Sequence, residues 1–162
     1  MKKLYMLSTL MLTALCFSLS VRAADVLWQS DFSTEEGFLQ WTVVDANQDG
    51  VTWEYTTEQA PAPVIYRYHY SNPGDDWLVS PGITPTEDGV LMVKYNYFGS
   101  FYSEQMEVYY GTSSVPEEME KKATHIDLKD RDYESFFFVE AKAGETVYLA
   151  FRATSLAYKQ HL

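Results

Sequence analysis

Apolar and polar residues alternate along most of the chain in short runs. This period of two is typical of β-strands that bury one face, and β-branched and aromatic residues are concentrated in the runs. Turn-forming residues, such as those in Asn72-Pro73-Gly74, separate most of them. The predicted strands are 26–28, 38–44, 51–56, 64–70, 77–80, 90–98, 106–110, 123–128, 136–139 and 146–151.

Many short strands at this spacing predict an all-β domain of the sandwich or jelly-roll type. Residues 86–89 predict a hairpin turn that joins the strand after Asp76 to the strand 90–98. One segment alone is predicted to be helical, where Ser114 would cap a turn or two that starts near Pro116. Its length and position suggest that it crosses a loop between strands.

The first residues predict a secretory signal peptide. Lys2 and Lys3 precede an apolar run (4–19), and small residues before Ala24 predict cleavage after Ala23. We therefore expect a signal peptide (1–23) and one mature domain (24–162) that is secreted or held at the outer cell surface, with no transmembrane segment after cleavage. The one cysteine, Cys16, leaves with the peptide, so the mature chain can form no disulfide.

The predicted mature chain is strongly acidic. Residues 1–23 hold three of the 12 basic residues and no acidic one, which leaves nine basic against 23 acidic residues, a net charge of −14. Such a surface repels phosphate backbones, which argues against a nucleic-acid partner. The same negative charge attracts divalent cations.

One acidic segment predicts a cation site. Asp45, Asn47 and Asp49 place oxygen side chains at alternate positions, and Gly50 can adopt the positive φ that closes such a loop. The bidentate glutamate of a helix-loop-helix calcium motif is missing, because Thr56 stands near its position. The alternatives are a calcium-binding loop between strands and a solvated turn whose side chains bond their own backbone.

Asp75 and Asp76 stand side by side before the predicted strand 77–80. Adjacent carboxylates repel one another unless a cation, an arginine or backbone N–H groups neutralise them. We therefore expect one of the two to face inward as a structural ligand or cap. Asp31 could join either acidic group from a distance in sequence. The alternative for all three residues is surface charge.

Tyr66, Tyr68 and Tyr70 fall on one face of the predicted strand 64–70. Aromatic rings with hydroxyl tips can bind the C–H-rich faces of sugars, so these tyrosines are candidate ligand-binding residues. Aromatic residues make up 16% of the chain, however, and most of them must lie in the core or in cross-strand pairs.

The sequence carries little support for catalysis. His69, His125 and His161 lie apart, and neither a zinc-protease pair nor a nucleophile elbow is present. Glu104 and Glu107 do not reproduce the paired carboxylates of a jelly-roll glycosidase strand. We therefore expect a binding protein and not an enzyme, and a jelly-roll hydrolase is a distant alternative.

Several short segments, spread over nearly the whole mature chain, occur in an order and at a spacing that resemble those of a known family. They are Ser30-Asp31-Phe32, Gly37-Phe38, 41–50 with Trp53, 74–81, Tyr109-Tyr110-Gly111-Thr112-Ser113 and 147–152. Together they resemble the cleaved-adhesin or choice-of-anchor J domains of Gram-negative surface proteins, the family that includes the haemagglutinin-adhesin modules of gingipain-type proteases. The most specific piece is the block Asp75-Asp76-Trp77-Leu78-Val79-Ser80-Pro81.

This resemblance implies a calcium-stabilised jelly roll, related to galactose-binding and MAM-type modules, that adheres to host proteins, erythrocytes or glycans. It makes Asp31, Asp45, Asp49 and Asp76 the candidate calcium-binding or loop-organising residues. Such domains usually continue into a last strand, which this sequence is predicted to lack. The alternative functions are a carbohydrate-binding module of a polysaccharide-degrading system and a non-functional fragment of a longer adhesin.

Overall fold

The computed structural model describes residues 25–58, 63–99, 103–129 and 131–157. The predicted signal peptide (1–23) lies outside these ranges. Within them, no helix is both long and apolar enough to cross a membrane.

The described chain is almost entirely β-structure, as predicted. One short α-helix, α1 (Glu35–Phe38), and one 3-10 turn (Pro116–Glu118) accompany the strands. The strands are β1 (Thr42–Asp45), β2 (Trp53–Tyr55), β3 (Val64–Tyr66), β4 (Asp76–Val79), β5 (Gly89–Gly99), β6 (Glu104–Gly111), β7 (Glu120–Leu128), β8 (Arg131–Ala141) and β9 (Tyr148–Ala153).

Five strands form the main sheet, in the order β1-β4-β9-β6-β7, and every pair of neighbours is antiparallel. β5 and β8 form a separate long two-stranded ribbon, and β2 pairs with β3. All four residues of β4 are buried, because the strand lies inside the main sheet and both faces of the sheet are covered.

The ribbon and the main sheet make the two layers of a sandwich. Tyr95 of β5 packs in one core cluster with Leu78, Val108 and Leu149 of the main sheet. A second cluster covers the opposite face of that sheet, where Met119 packs on β4 and β9. Burial of apolar side chains between these layers is the main favourable contribution to folding.

Several local predictions were wrong. Residues 86–89 do not form a hairpin between β4 and β5, because these strands belong to different sheets. Residues 26–28 form no strand, and Phe38 belongs to α1, which begins because Thr34 Oγ1 accepts a hydrogen bond from Gly37 N. The 3-10 turn is capped at Val115, without a side-chain bond, and not at Ser114.

Candidate functional site

The acidic loop after β1, residues 45–50, is organised by hydrogen bonds to its own backbone. Asp45 Oδ1 accepts from Asp49 N (3.2 Å) and its Oδ2 from Gly50 N (2.9 Å), while Asn47 Oδ1 accepts from Asp49 N (3.1 Å). Asp49 Oδ1 accepts from Val51 N (2.9 Å). Gly50 has a positive φ, as predicted, with a value of 79°.

This acidic loop docks on the segment that leads into β4. Asn47 Nδ2 donates to Pro73 O (2.9 Å), and Ala46 N donates to Asp75 O (3.1 Å). The strand register places Asp45 directly opposite Asp76. The fold therefore brings Asp45, Asn47, Asp49 and Asp76, four of the predicted metal-binding residues, into one neighbourhood.

Asp76 is fully buried at the start of β4. Its Oδ2 accepts from Asp75 N (3.1 Å), whereas its Oδ1 has no hydrogen-bond partner among the described residues. Burial raises the pKa of Asp76, the Asp75 N–H and the nearby Tyr66 hydroxyl oppose that shift, and the charges of Asp45 and Asp49 add to it. A buried carboxylate with an orphaned oxygen is costly, and a bound cation would remove much of that cost.

Asp49 contacts the site from the loop side. Its side chain is almost fully buried, and its Oδ2 lies 3.9 Å from His69 Nδ1. That nitrogen accepts hydrogen bonds from Ser71 N (3.1 Å) and Asn72 N (3.0 Å). The Asp49 side chain therefore lies between His69 and Asn47, whose Nδ2 donates to Asp49 Oδ2 (3.3 Å).

The three candidate tyrosines do not share one strand face, because β3 ends at Tyr66. The Tyr66 hydroxyl is buried without a hydrogen-bond partner in the described ranges, and burial, followed by the charge of Asp76, raises its pKa. Tyr68 and Tyr70 follow outside the strand and are exposed, by 41% and 61%. Tyr66 thus belongs to the acidic site, and the other two belong to the surface.

Asp31 contributes no described contact to this site. Its side chain is exposed, and its Oδ1 accepts a hydrogen bond from Ser33 N (2.9 Å) that lowers the pKa of the carboxyl group. In the part of the chain that the structure describes, no three His, Cys, Asp or Glu side chains converge closely enough to form a metal centre. The role of each carboxylate in binding a metal stays a prediction.

Asp75 faces the other way from Asp76, as the argument from charge repulsion predicts. Its Oδ1 accepts from Arg152 Nε (2.8 Å), and Arg152 also donates to Glu107 Oε2 (3.2 Å) and lies over the Trp77 ring, 5.0 Å from its centroid. The hydrogen bond to Asp75 is the main cause that raises the pKa of Arg152.

Glu107 is the centre of this network. It also accepts hydrogen bonds from Tyr109 Oη (2.7 Å) and Lys121 Nζ (2.8 Å). Burial by itself would raise the pKa of Glu107, but these hydrogen bonds and the charges of Lys121 and Arg152 together lower it. Glu107 is therefore held ionised, which does not suit a general acid.

The Arg152 network borders an open cleft of about 310 Å³ beside the acidic loop. Ala46, Trp77, Tyr109 and Glu117 are among its lining residues. Sequence reasoning missed this cleft because its residues come from five separate segments. The sequence did indicate that Asp75 needs a positively charged partner. It did not indicate which of the basic residues would be that partner, and the structure shows that it is Arg152.

The sequence matches no family model and no curated protein. Among solved structures, the K3 cleaved adhesin domain of Lys-gingipain from Porphyromonas gingivalis is similar, with a TM-score of 0.53 and 16% identity over 73% of this chain and 83% of that chain. The shared feature is the fold. The K1 cleaved adhesin domain of the same protein has a TM-score of 0.50 and 17% identity, over 71% of this chain and 80% of that chain.

Proposed function

We propose that this chain is a secreted or surface-exposed, non-catalytic binding module of the cleaved-adhesin, choice-of-anchor J type. It is exported by the predicted signal peptide and binds a host surface protein or glycan. The fold similarity to two cleaved adhesin domains supports this proposal. The ionised, salt-bridged state of Glu107 also supports it, because a hydrolase of this architecture needs a carboxylic acid that is protonated at the start of the reaction.

The observation that carries the proposal is the buried Asp76 carboxylate beneath the docked acidic loop. We propose calcium as a structural ion there, with Asp76 as the principal ligand and Asp45, Asn47 and Asp49 as further oxygen donors. The ion would supply the positive charge that this cluster lacks. It would also fix the loops next to Tyr68 and Tyr70, where we place the contact with the partner.

Thermal unfolding in millimolar calcium and in EDTA tests this proposal. We expect the melting temperature of the mature domain to be higher in calcium by several degrees, because an ion that binds only the folded state stabilises it. Asp76→Asn should abolish most of the calcium-dependent difference. In EDTA the same substitution should not lower the melting temperature, since it removes an uncompensated buried charge.

Asp132→Asn is the matched control, because Asp132 is exposed on the outer face of the ribbon. It should keep the full calcium-dependent shift. If the wild-type domain melts at the same temperature in calcium and EDTA, the ion has no part in the fold.

Partner binding is tested separately with a glycan array and with immobilised host extracellular-matrix proteins. The double substitution Tyr68→Ser and Tyr70→Ser should weaken binding to whichever class is recognised, and circular dichroism establishes that the variant is folded. Binding restricted to glycans would favour the carbohydrate-binding alternative. Tyr55→Ser, in β2, serves as a substitution of the same type outside the exposed pair.

A further inference from the structure

A second concave surface lies along the outer edge of β8. This edge groove has a volume of about 420 Å³, and its lining includes Tyr110, Phe138, Glu118, Glu120 and Glu140. Gly111, which also lines it, pairs with Tyr148 at one end of β9, whereas Asp76 pairs with Ala153 at the other end. The edge groove and the acidic loop therefore lie at opposite ends of the main sheet.

The main chain of β8 is open on the side of the groove. β8 pairs along its whole length with β5, and in the described ranges it pairs with no other strand. Every second residue of an antiparallel edge strand directs its N–H and C=O groups away from the partner strand. The groove thus lies next to a row of backbone donors and acceptors with the spacing of an extended chain.

The side chains of the groove combine apolar contact with negative charge. Phe138 lines the groove and is 62% exposed, and its ring packs edge to face on that of Phe136, outside the lining and 58% exposed, with centroids 5.7 Å apart. Of the three glutamates, Glu120 is paired with Lys122 (2.6 Å), which is the single basic residue in the lining. Two carboxylates remain in excess beside a large aromatic surface.

We propose that the edge groove binds an extended, basic segment of a partner polypeptide, which adds a strand to β8. Backbone hydrogen bonds to β8 would give affinity, apolar side chains would cover Phe138 and Tyr110, and lysine or arginine residues would pair with Glu118 and Glu140. A second copy of this acidic chain is disfavoured by charge repulsion. A glycan cannot supply the backbone ladder.

A capped, fluorescently labelled peptide of alternating lysine and valine is the probe. We expect saturable binding to the mature domain, measured by fluorescence anisotropy, and weaker binding as salt is added. The peptide with glutamate in place of lysine should not bind. Two N-methylated peptides extend the test, one methylated at the odd-numbered residues and one at the even-numbered residues. Only one of these two sets of N–H groups faces β8, so one methylated peptide should lose binding and the other should retain it.

Substitutions in the groove locate the site. Glu140→Lys and Glu118→Lys together should weaken binding by about tenfold or more, and Phe138→Ser should weaken it several-fold. Glu58→Lys and Phe98→Ser make the same chemical changes outside the lining and should leave the affinity unchanged. Circular dichroism and melting temperature establish that each variant is folded.

Three results would overturn the proposal. The first is equal affinity of the parent peptide and both N-methylated peptides. The second is equal affinity of the lysine and glutamate peptides. The third is a dimer of the domain, seen by sedimentation velocity, that Phe138→Ser dissociates. The groove variants should retain the calcium-dependent melting shift and the binding through Tyr68 and Tyr70. The outcome for the edge groove is therefore separate from the outcome for the proposed function.

Discussion

Neighbouring residues in this protein meet opposite environments because β-strand side chains alternate. Asp75 reaches the charged network and pairs with Arg152, whereas Asp76 is buried beneath the acidic loop. The repulsion argument predicted that one of the two would point inward. Only the pairing of β1 with β4, which sets Asp45 against Asp76, determines that the inward residue faces more carboxylates.

The acidic loop was predictable from sequence because its chemistry is local. Asp45, Asn47 and Asp49 bond backbone groups two to five residues away, which depends only on nearby sequence. The burial of Tyr66 was not predictable in the same way. It depends on where β3 ends and on the approach of Gly74, where a Cβ atom would lie 2.7 Å from the Tyr66 hydroxyl oxygen.

His125 should make stability depend on pH. Its ring nitrogens lie 2.8 Å and 2.9 Å from the hydroxyls of Tyr95 and Tyr97, and burial lowers its pKa. The unfolded chain therefore binds a proton more readily than the folded one, so stability is lost as the pH falls below about 6.5 towards the lowered folded value. Urea unfolding at pH 8 and at pH 5 measures this loss.

The variant His125→Asn should show a smaller loss of unfolding free energy between the two pH values than the wild type does. Thr124→Asn, at the exposed neighbouring position of β7, is the control and should retain the wild-type pH dependence. An unchanged pH dependence in His125→Asn would mean that the ring does not titrate differently in the folded and unfolded states.

At the scale of elements, the backbone pairing of β4 with β9 is extended past Val79 by a hydrogen bond to the Ser80 side chain. Ser80 N donates to Leu149 O (2.8 Å), but Leu149 N donates to Ser80 Oγ (2.9 Å) instead of to a backbone carbonyl. Ser80 is buried, and Pro81 follows it directly. The serine side chain thus accepts the hydrogen bond from Leu149 N that a backbone carbonyl of β4 would otherwise accept.

Ser80→Ala should therefore destabilise the domain by about 1–3 kcal/mol, because Leu149 N–H is left buried without an acceptor. Ser113→Ala is the matched control. Ser113 Oγ accepts from Val115 N at an exposed position, where water can replace it, so its loss should cost less than about 0.5 kcal/mol. Equal costs in denaturant unfolding would contradict the role given to Ser80.

The type of element was predictable, and the pairing of elements was not. Alternation predicted β5 and β8, although both extend further than the apolar runs 90–98 and 136–139. The predicted hairpin at 86–89 was wrong because a turn sequence shows only that the chain reverses. It does not show whether the next strand joins the same sheet or crosses to the second layer, as β5 does.

At the scale of the whole molecule, β9 holds the main sheet together. It lies between β4 and β6, so it joins the pair β1-β4 to the pair β6-β7. A chain that ends at Val147 should therefore lack cooperative unfolding and near-ultraviolet circular dichroism. A chain that ends at Ala157, which is buried, should retain both. A folded product from the shorter chain would contradict this central role.

The position of β9 also has a consequence for biogenesis. Since the last described strand enters between strands made much earlier, the sheet cannot close while that strand is still being synthesised. In a nascent polypeptide the pairs β1-β4 and β6-β7 would therefore stay unjoined throughout most of the elongation of the chain. Closure of the main sheet thus waits until nearly all of the described chain has been made.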